Sequence, residues 1–122
     1  MRLGALAYIV PDYDAGIALF IALGWRLTAD EDQGRKRWAT VSDGRIDLVL
    51  ARADTAEQRA AIGNQFGGRV GLFLHTDDFA ATAARIEAAG GTFEEAPRRE
   101  PYGTVAVWRD PFGTRWDLIQ PA

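Results

Sequence analysis

The stretch Val10-Pro11-Asp12-Tyr13-Asp14-Ala15-Gly16-Ile17-Ala18-Leu19-Phe20-Ile21-Ala22-Leu23-Gly24 reads as the end of a strand, a capped helix and its stop. Asp12 is a good N-cap, because a short carboxylate accepts the unpaired N–H groups of a first helical turn. Ile17, Phe20 and Ile21 recur at helical spacing, and Gly24 supplies the usual C-terminal stop. The same signals return later in the chain. Asp78 caps a segment in which Phe79, Ala83 and Ile86 recur, and Gly90-Gly91 ends it. Asp12 and Asp78 lie 66 residues apart, and so do Gly24 and Gly90. A constant spacing across cap, helix and stop marks an internal repeat.

Before each helix stands a short apolar run, Leu3 to Val10 in the first copy and Val70 to His75 in the second, bounded by turn residues as a buried strand is. After each helix come further strand-like pieces. In the first copy these are residues 25–28, 37–41 and 46–51, and in the second 92–94, 104–109 and 115–119. Asp43-Gly44 and Asp110-Pro111-Phe112-Gly113 provide the intervening turns. Each copy therefore reads βαβββ. The expected organisation is a single domain over residues 1–122, with module one at 1–53, a connector at 54–68 and module two at 69–122. Thr55 to Ile62 is alanine-rich and suits a short helix, and Gly63 to Gly68 reads as a flexible link. Residues 29–36 read as a charged hairpin loop, and Pro97-Arg98-Arg99-Glu100-Pro101 as a solvated charged loop or an arginine clamp for an anion.

Composition narrows the chemistry. The 122 residues are 48% hydrophobic and 25% charged, the balance of a soluble globular domain, which argues against disorder. There is no cysteine, so disulfide scaffolds, thiolate zinc sites and cysteine nucleophiles are excluded. One histidine excludes any site built on several imidazoles of one chain. The net charge of −3 disfavours nucleic acid and anionic membranes as partners. No apolar run reaches the ~20 residues of a membrane span, and the first run is too short for a signal peptide. The default expectation is a cytoplasmic protein. The glycines at 63–68 lack the lysine and strand–helix setting of a phosphate cradle.

Two βαβββ copies in a chain of this length resemble the vicinal-oxygen-chelate superfamily, which includes glyoxalase I, extradiol dioxygenases, and fosfomycin- and bleomycin-resistance proteins. The most specific match is Trp108-Arg109-Asp110-Pro111-Phe112-Gly113-Thr114-Arg115-Trp116-Asp117-Leu118, which looks like the family's closing signature. Val10-Pro11-Asp12, Leu23-Gly24-Trp25 and Ala88-Ala89-Gly90-Gly91-Thr92-Phe93 are similar to its other landmarks. The resemblance implies an α+β fold whose two tandem βαβββ modules form a curved, half-barrel mixed sheet with a central cleft.

The resemblance also implies where metal ligands would stand. Metal-dependent members commonly carry His on the first strand of each copy and Glu on the last. The matching positions here hold Ala5 and Gly71, which have no donor, and Asp47 and Asp117, which keep a shortened carboxylate. Two carboxylates alone make a poor site for Zn²⁺, Fe²⁺ or Ni²⁺. The expectation is no metal and no cofactor.

The candidate ligand-binding residues are Asp47, Asp117, Trp38, Phe73, His75 and Tyr102. Period-2 alternation sends Asp47 and Asp117 to the face opposite their apolar neighbours, which the resemblance makes the cleft side. They either hold a cationic or hydrogen-bonding group, or pair with Arg45, Arg115 or backbone. His75 shares its face with Phe73; it either looks toward the cleft or is a hydrogen-bonded structural residue. Trp38 follows the charged hairpin, and Tyr102 lies in the loop Pro101-Tyr102-Gly103, at positions where rim contacts are common. No catalytic residue can be assigned. The expected function is binding of a neutral or cationic organic molecule in an aromatic cleft, by a homodimer with Tyr8 and the first strand in its interface. The alternative is a lyase, isomerase or dioxygenase using a weak divalent ion or aspartate acid–base chemistry.

Overall fold

The computed structural model describes residues 1–122. They form two compact units, 1–62 and 63–122. The first contains β1 (Leu6–Val10), α1 (Tyr13–Ala22), β2 (Arg26–Asp32), β3 (Arg37–Ser42), β4 (Asp47–Arg52) and α2 (Ala56–Ala61). The second contains β5 (Leu72–His75), α3 (Phe79–Ala88), β6 (Thr92–Phe93), β7 (Arg98–Glu100), β8 (Gly103–Arg109) and β9 (Arg115–Pro121). Both are α+β, and each builds a mixed sheet. The orders are β1-β4-β3-β2 and β5-β9-β8-β6, with β7 also paired to β8. In each unit the first strand pairs with the last in parallel and all other pairs are antiparallel, because the helix carries the chain across before the meander begins.

The repeat appears in the same local chemistry twice. Asp12 accepts the Ala15 N–H at 2.7 Å, and Asp78 accepts that of Ala81 at 3.1 Å. Beyond the two helices, Gly24 and Gly90 take φ of 91° and 94°, the left-handed geometry that favours glycine. In unit one, Tyr8, Val10, Leu48, Leu50, Ala39 and Val41 pack with Leu19 and Phe20 of α1, all nearly devoid of exposure. Tyr8 meets Phe20 edge-on at 5.5 Å. Tyr8 is thus a core residue and not part of an exposed interface, since it shares strand parity with Val10. Unit two is built around Trp108 and Trp116, stacked at 4.9 Å, with Ile86 and Leu118 also fully buried.

Three loop readings change. Strand β2 runs on to Asp32, so the first half of the expected hairpin loop is paired strand and residues 33–36 form the tip. Its charges suit an edge strand, which they protect from pairing with other chains. Residues 98–100, read as a solvated loop, form β7 against residues 103–105 of β8. Their flanking prolines sit outside the ladder, so they do not prevent it. The glycine link at 63–68 is a series of turns, and Gly63 is seated against the Phe112 carbonyl.

Candidate functional site

Strand alternation decides which side chains leave the helix-packed core of unit two. Trp116 and Leu118 of β9 face α3's side, so Asp117 and Ile119 face away from it. In register, Asp117 lies between Phe73 of β5 and Val107 of β8, and Ile119 lies beside His75. Phe73, His75 and Asp117 therefore share one face, as alternation predicts. Phe73 is 61% exposed despite being a phenylalanine in a strand, and His75 is exposed too.

Of the two readings of Asp117, pairing with a neighbour is not seen at its inner oxygen. Its Oδ1 is buried without a hydrogen bond. Arg115, one of the partners the structural alternative named, grips Glu94 through two bonds of 2.8 and 3.2 Å and donates to the Gly68 carbonyl. Arg98 is likewise held, by Glu95 at 2.9 Å and Glu100 at 2.8 Å. Burial raises the Asp117 pKa from its ordinary value; Arg98 and Arg115 oppose this, and Glu95 adds to it. Glu95 moves the other way, held low first by the Val107 N–H it accepts and then by Arg98. Tyr102 sits in the β7–β8 turn, 54% exposed and beside the Arg98 guanidinium.

Unit one holds the other two candidates. Asp47 opens β4, is exposed, and pairs with Ser42 at the hairpin end of the sheet. Asp117 lies further from its own hairpin, two pairs in from Arg109 and Arg115. The two aspartates thus occupy different levels of their sheets and are not equivalent. Trp38 lies within β3 and is 40% exposed. With Ala7, Ile9, Val49 and Ala51 it lines a cavity of about 410 Å³ on the face away from α1.

A family model, the Glyoxalase/Bleomycin resistance protein/Dioxygenase superfamily, matches residues 2–118. The chain belongs to this superfamily. An uncharacterized protein of Shewanella frigidimarina (strain NCIMB 400) is 44% identical over 121 residues, covering 94% of this chain and 90% of the relative. Among solved structures, UcmS2 aligns with a TM-score of 0.81 at 30% identity, over 98% of this chain and 97% of that one. TnmS3, an antibiotic-binding protein from Streptomyces sp. CB03234, aligns at 0.68 and 28% identity, over 99% and 98% of the two chains. A bleomycin-binding protein complexed with bleomycin shares the fold at 0.64 and 21% identity over both full chains.

For a superfamily member, the first-strand positions are decisive. Ala5 offers no donor, and Gly71 could not carry one without rearrangement. A Cβ placed on Gly71 would run into the Phe66 ring, at Cγ and both Cδ atoms. The space into which an imidazole would project is filled by that ring. Nowhere do three His, Cys, Asp or Glu side chains gather in a way that could hold a metal ion. The residues present do not fit the superfamily's metal.

Phe66 was missed by sequence reading, since it falls in the connector, where alternation says nothing. The arginines around Tyr13 were also missed. Arg37 and Arg52 lie over its ring at 5.8 and 5.3 Å from the centroid. The only signal available was the position of Tyr13 directly after the Asp12 cap.

Proposed function

We propose that this superfamily member is a small-molecule-binding protein that works without a metal and holds a neutral or cationic organic ligand against aromatic side chains. The observation that carries the reading is Asp117, a carboxylate with a buried, unpartnered oxygen beside the exposed ring of Phe73. A buried acceptor without a donor is costly, and a ligand N–H would relieve that cost. In unit two Phe73 and Tyr102 offer flat apolar area and His75 a further polar contact; in unit one Trp38 and Asp47 offer contacts of the same two kinds. The antibiotic-binding description of TnmS3 supports the same reading.

The test uses 2-naphthylmethylammonium and its neutral alcohol, with binding read as a thermal shift. Asp117→Asn is expected to weaken the ammonium probe by about 1–3 kcal/mol, the scale of a charge-assisted hydrogen bond. Affinity for that probe should fall as acid protonates Asp117. In the free protein the raised pKa means that stability is present at low pH and is lost as pH rises through the Asp117 titration. Asp117→Asn should therefore raise the melting temperature at neutral pH, with the gain vanishing below the ordinary carboxylate range. A loss of stability with unchanged probe affinity would refute the reading.

The proposal includes a homodimer in the cytoplasm, with neither nucleic acid nor membrane as partner. Large apolar side chains left exposed away from the proposed ligand contacts, Leu6 and Ile46 among them, favour a covering copy. No helix is long and apolar enough to cross a membrane. Light scattering at micromolar concentration should give twice the chain mass; the single-chain mass would count against the dimer.

A further inference from the structure

We infer that module one carries a second subsite of opposite sign, a pocket for a flat aromatic body bearing an anionic group. It deepens the small-molecule reading and rests on it only in taking the ligand to be organic. The floor is apolar for a local reason. Ala7 and Ile9 of β1, and Val49 and Ala51 of β4, share the face turned from α1, where Ala7 pairs with Val49 and Ile9 with Ala51. Two alanines in this group leave depth, and Trp38 supplies a half-exposed ring beside it. A cavity of about 410 Å³ suits a fused two-ring molecule.

The mouth has the opposite character to the chain as a whole. The protein carries a net charge of −3, yet Lys36, Arg37 and Arg52 line this pocket against a single carboxylate, Asp54. Arg37 is committed: it donates to both oxygens of Asp30, at 2.6 and 2.8 Å, and to Asp14 at 2.8 Å. Arg52 is not. It reaches Asp54 through Nε alone, at 2.9 Å, which leaves its terminal nitrogens to donate elsewhere. Its guanidinium is fixed over the buried Tyr13 ring, so little side-chain freedom remains to be lost on binding. Lys36 takes part in none of the ion pairs. A carboxylate or phenolate seated with its rings on Trp38 would accept from Arg52 and Lys36, while a cation there would face these positive groups with Asp54 alone to offset them.

Calorimetry of the full chain with 2-naphthoate, 2-naphthylmethanol and 2-naphthylmethylammonium tests this. Naphthoate should bind at least about tenfold more tightly than the alcohol, as expected for a partly solvated charge-assisted bond. Lys36→Glu, in the exposed hairpin tip, should weaken naphthoate by about tenfold or more and leave the alcohol unchanged. Trp38→Ala should weaken naphthoate and alcohol alike, with circular dichroism confirming an intact fold. Equal affinity for naphthoate and the alcohol, failure of naphthoate at millimolar concentration, or indifference to Lys36→Glu would each overturn the inference. If naphthoate fails while the ammonium probe binds through Asp117, only this inference falls; if no probe binds, the small-molecule reading falls with it.

Discussion

Asp110→Ala is expected to destabilise the protein by roughly 3–5 kcal/mol, on the scale of breaking a buried hydrogen-bond network. Asp110 is 4% exposed and its carboxylate is the acceptor for three donors. Oδ1 takes the backbone N–H groups of Phe112 at 2.9 Å and Thr114 at 3.1 Å, and Oδ2 takes the Trp116 indole N–H at 3.0 Å. Main-chain bonds close the same turn, from Gly113 N–H to the Asp110 carbonyl and from Asp110 N–H to the Thr114 carbonyl. One side chain thus sets the β8–β9 hairpin and the orientation of Trp116, whose ring stacks on Trp108 at the centre of the unit. Alanine keeps the main-chain bonds but leaves three donors unmet, two of them backbone. Each buried unmet donor costs about 1–3 kcal/mol, and relaxation keeps the total below their sum. Asp110→Asn retains one acceptor oxygen and should lose about half as much. Urea unfolding followed by tryptophan fluorescence should show a lowered midpoint at unchanged slope. A loss below about 1 kcal/mol would mean that the turn refolds around other acceptors.

This carboxylate also shows what was legible in the sequence. Asp110-Pro111-Phe112-Gly113 reads as a tight turn because its determinants are local: a short acceptor, a fixed φ and a glycine. The caps at Asp12 and Asp78 and the stops at Gly24 and Gly90 are local in the same way. The βαβββ repeat and its α+β class follow from them. Alternation along β9 was readable too, and it put Phe73, His75 and Asp117 on one face.

Register was not readable. The hairpin between Ser42 and Asp47 has four intervening residues, and that between Arg109 and Arg115 has five. The longer turn in module two changes the level at which each strand re-enters its sheet. Asp47 and Asp117, alike by motif, therefore meet different neighbours: Ser42 in one case, Phe73 and Val107 in the other. Of the two aspartates, Asp117 alone has a buried oxygen without a partner. Edge strands were hidden for another reason. Residues 98–100 carry two arginines and a glutamate between prolines, a composition that fits a loop, and their pairing depends on β8 rather than on their own propensity.

The departure of this chain from the metal-dependent members can be tested by restoring what is missing. Gly71→His is expected to cost about 1–3 kcal/mol of stability, the usual range for overpacking a filled site. The obstacle is the Phe66 ring, whose Cγ lies where the new Cβ would go. Because that atom is the root of the ring and not its flexible far end, the whole side chain must swing out, and its buried apolar area goes with it. The Gly71 N–H bond to the Arg115 carbonyl, at 3.2 Å, ties this backbone to β9 and limits how far the strand itself can yield. Gly71→Ala should show most of the same loss, since the clash begins at Cβ. Adding Phe66→Ala should relieve part of it, a coupling that a double-mutant cycle would measure as non-additivity. Even with the imidazole installed, one histidine and the Asp117 carboxylate fall short of the three protein ligands of a catalytic zinc site. Gly71→His should therefore bind no stoichiometric Zn²⁺ or Ni²⁺, and EDTA should leave its melting temperature unchanged, as it should for the parent chain. Elemental analysis showing one ion per chain in either protein would mean that donors outside this set complete a site, and the metal-free reading would fall.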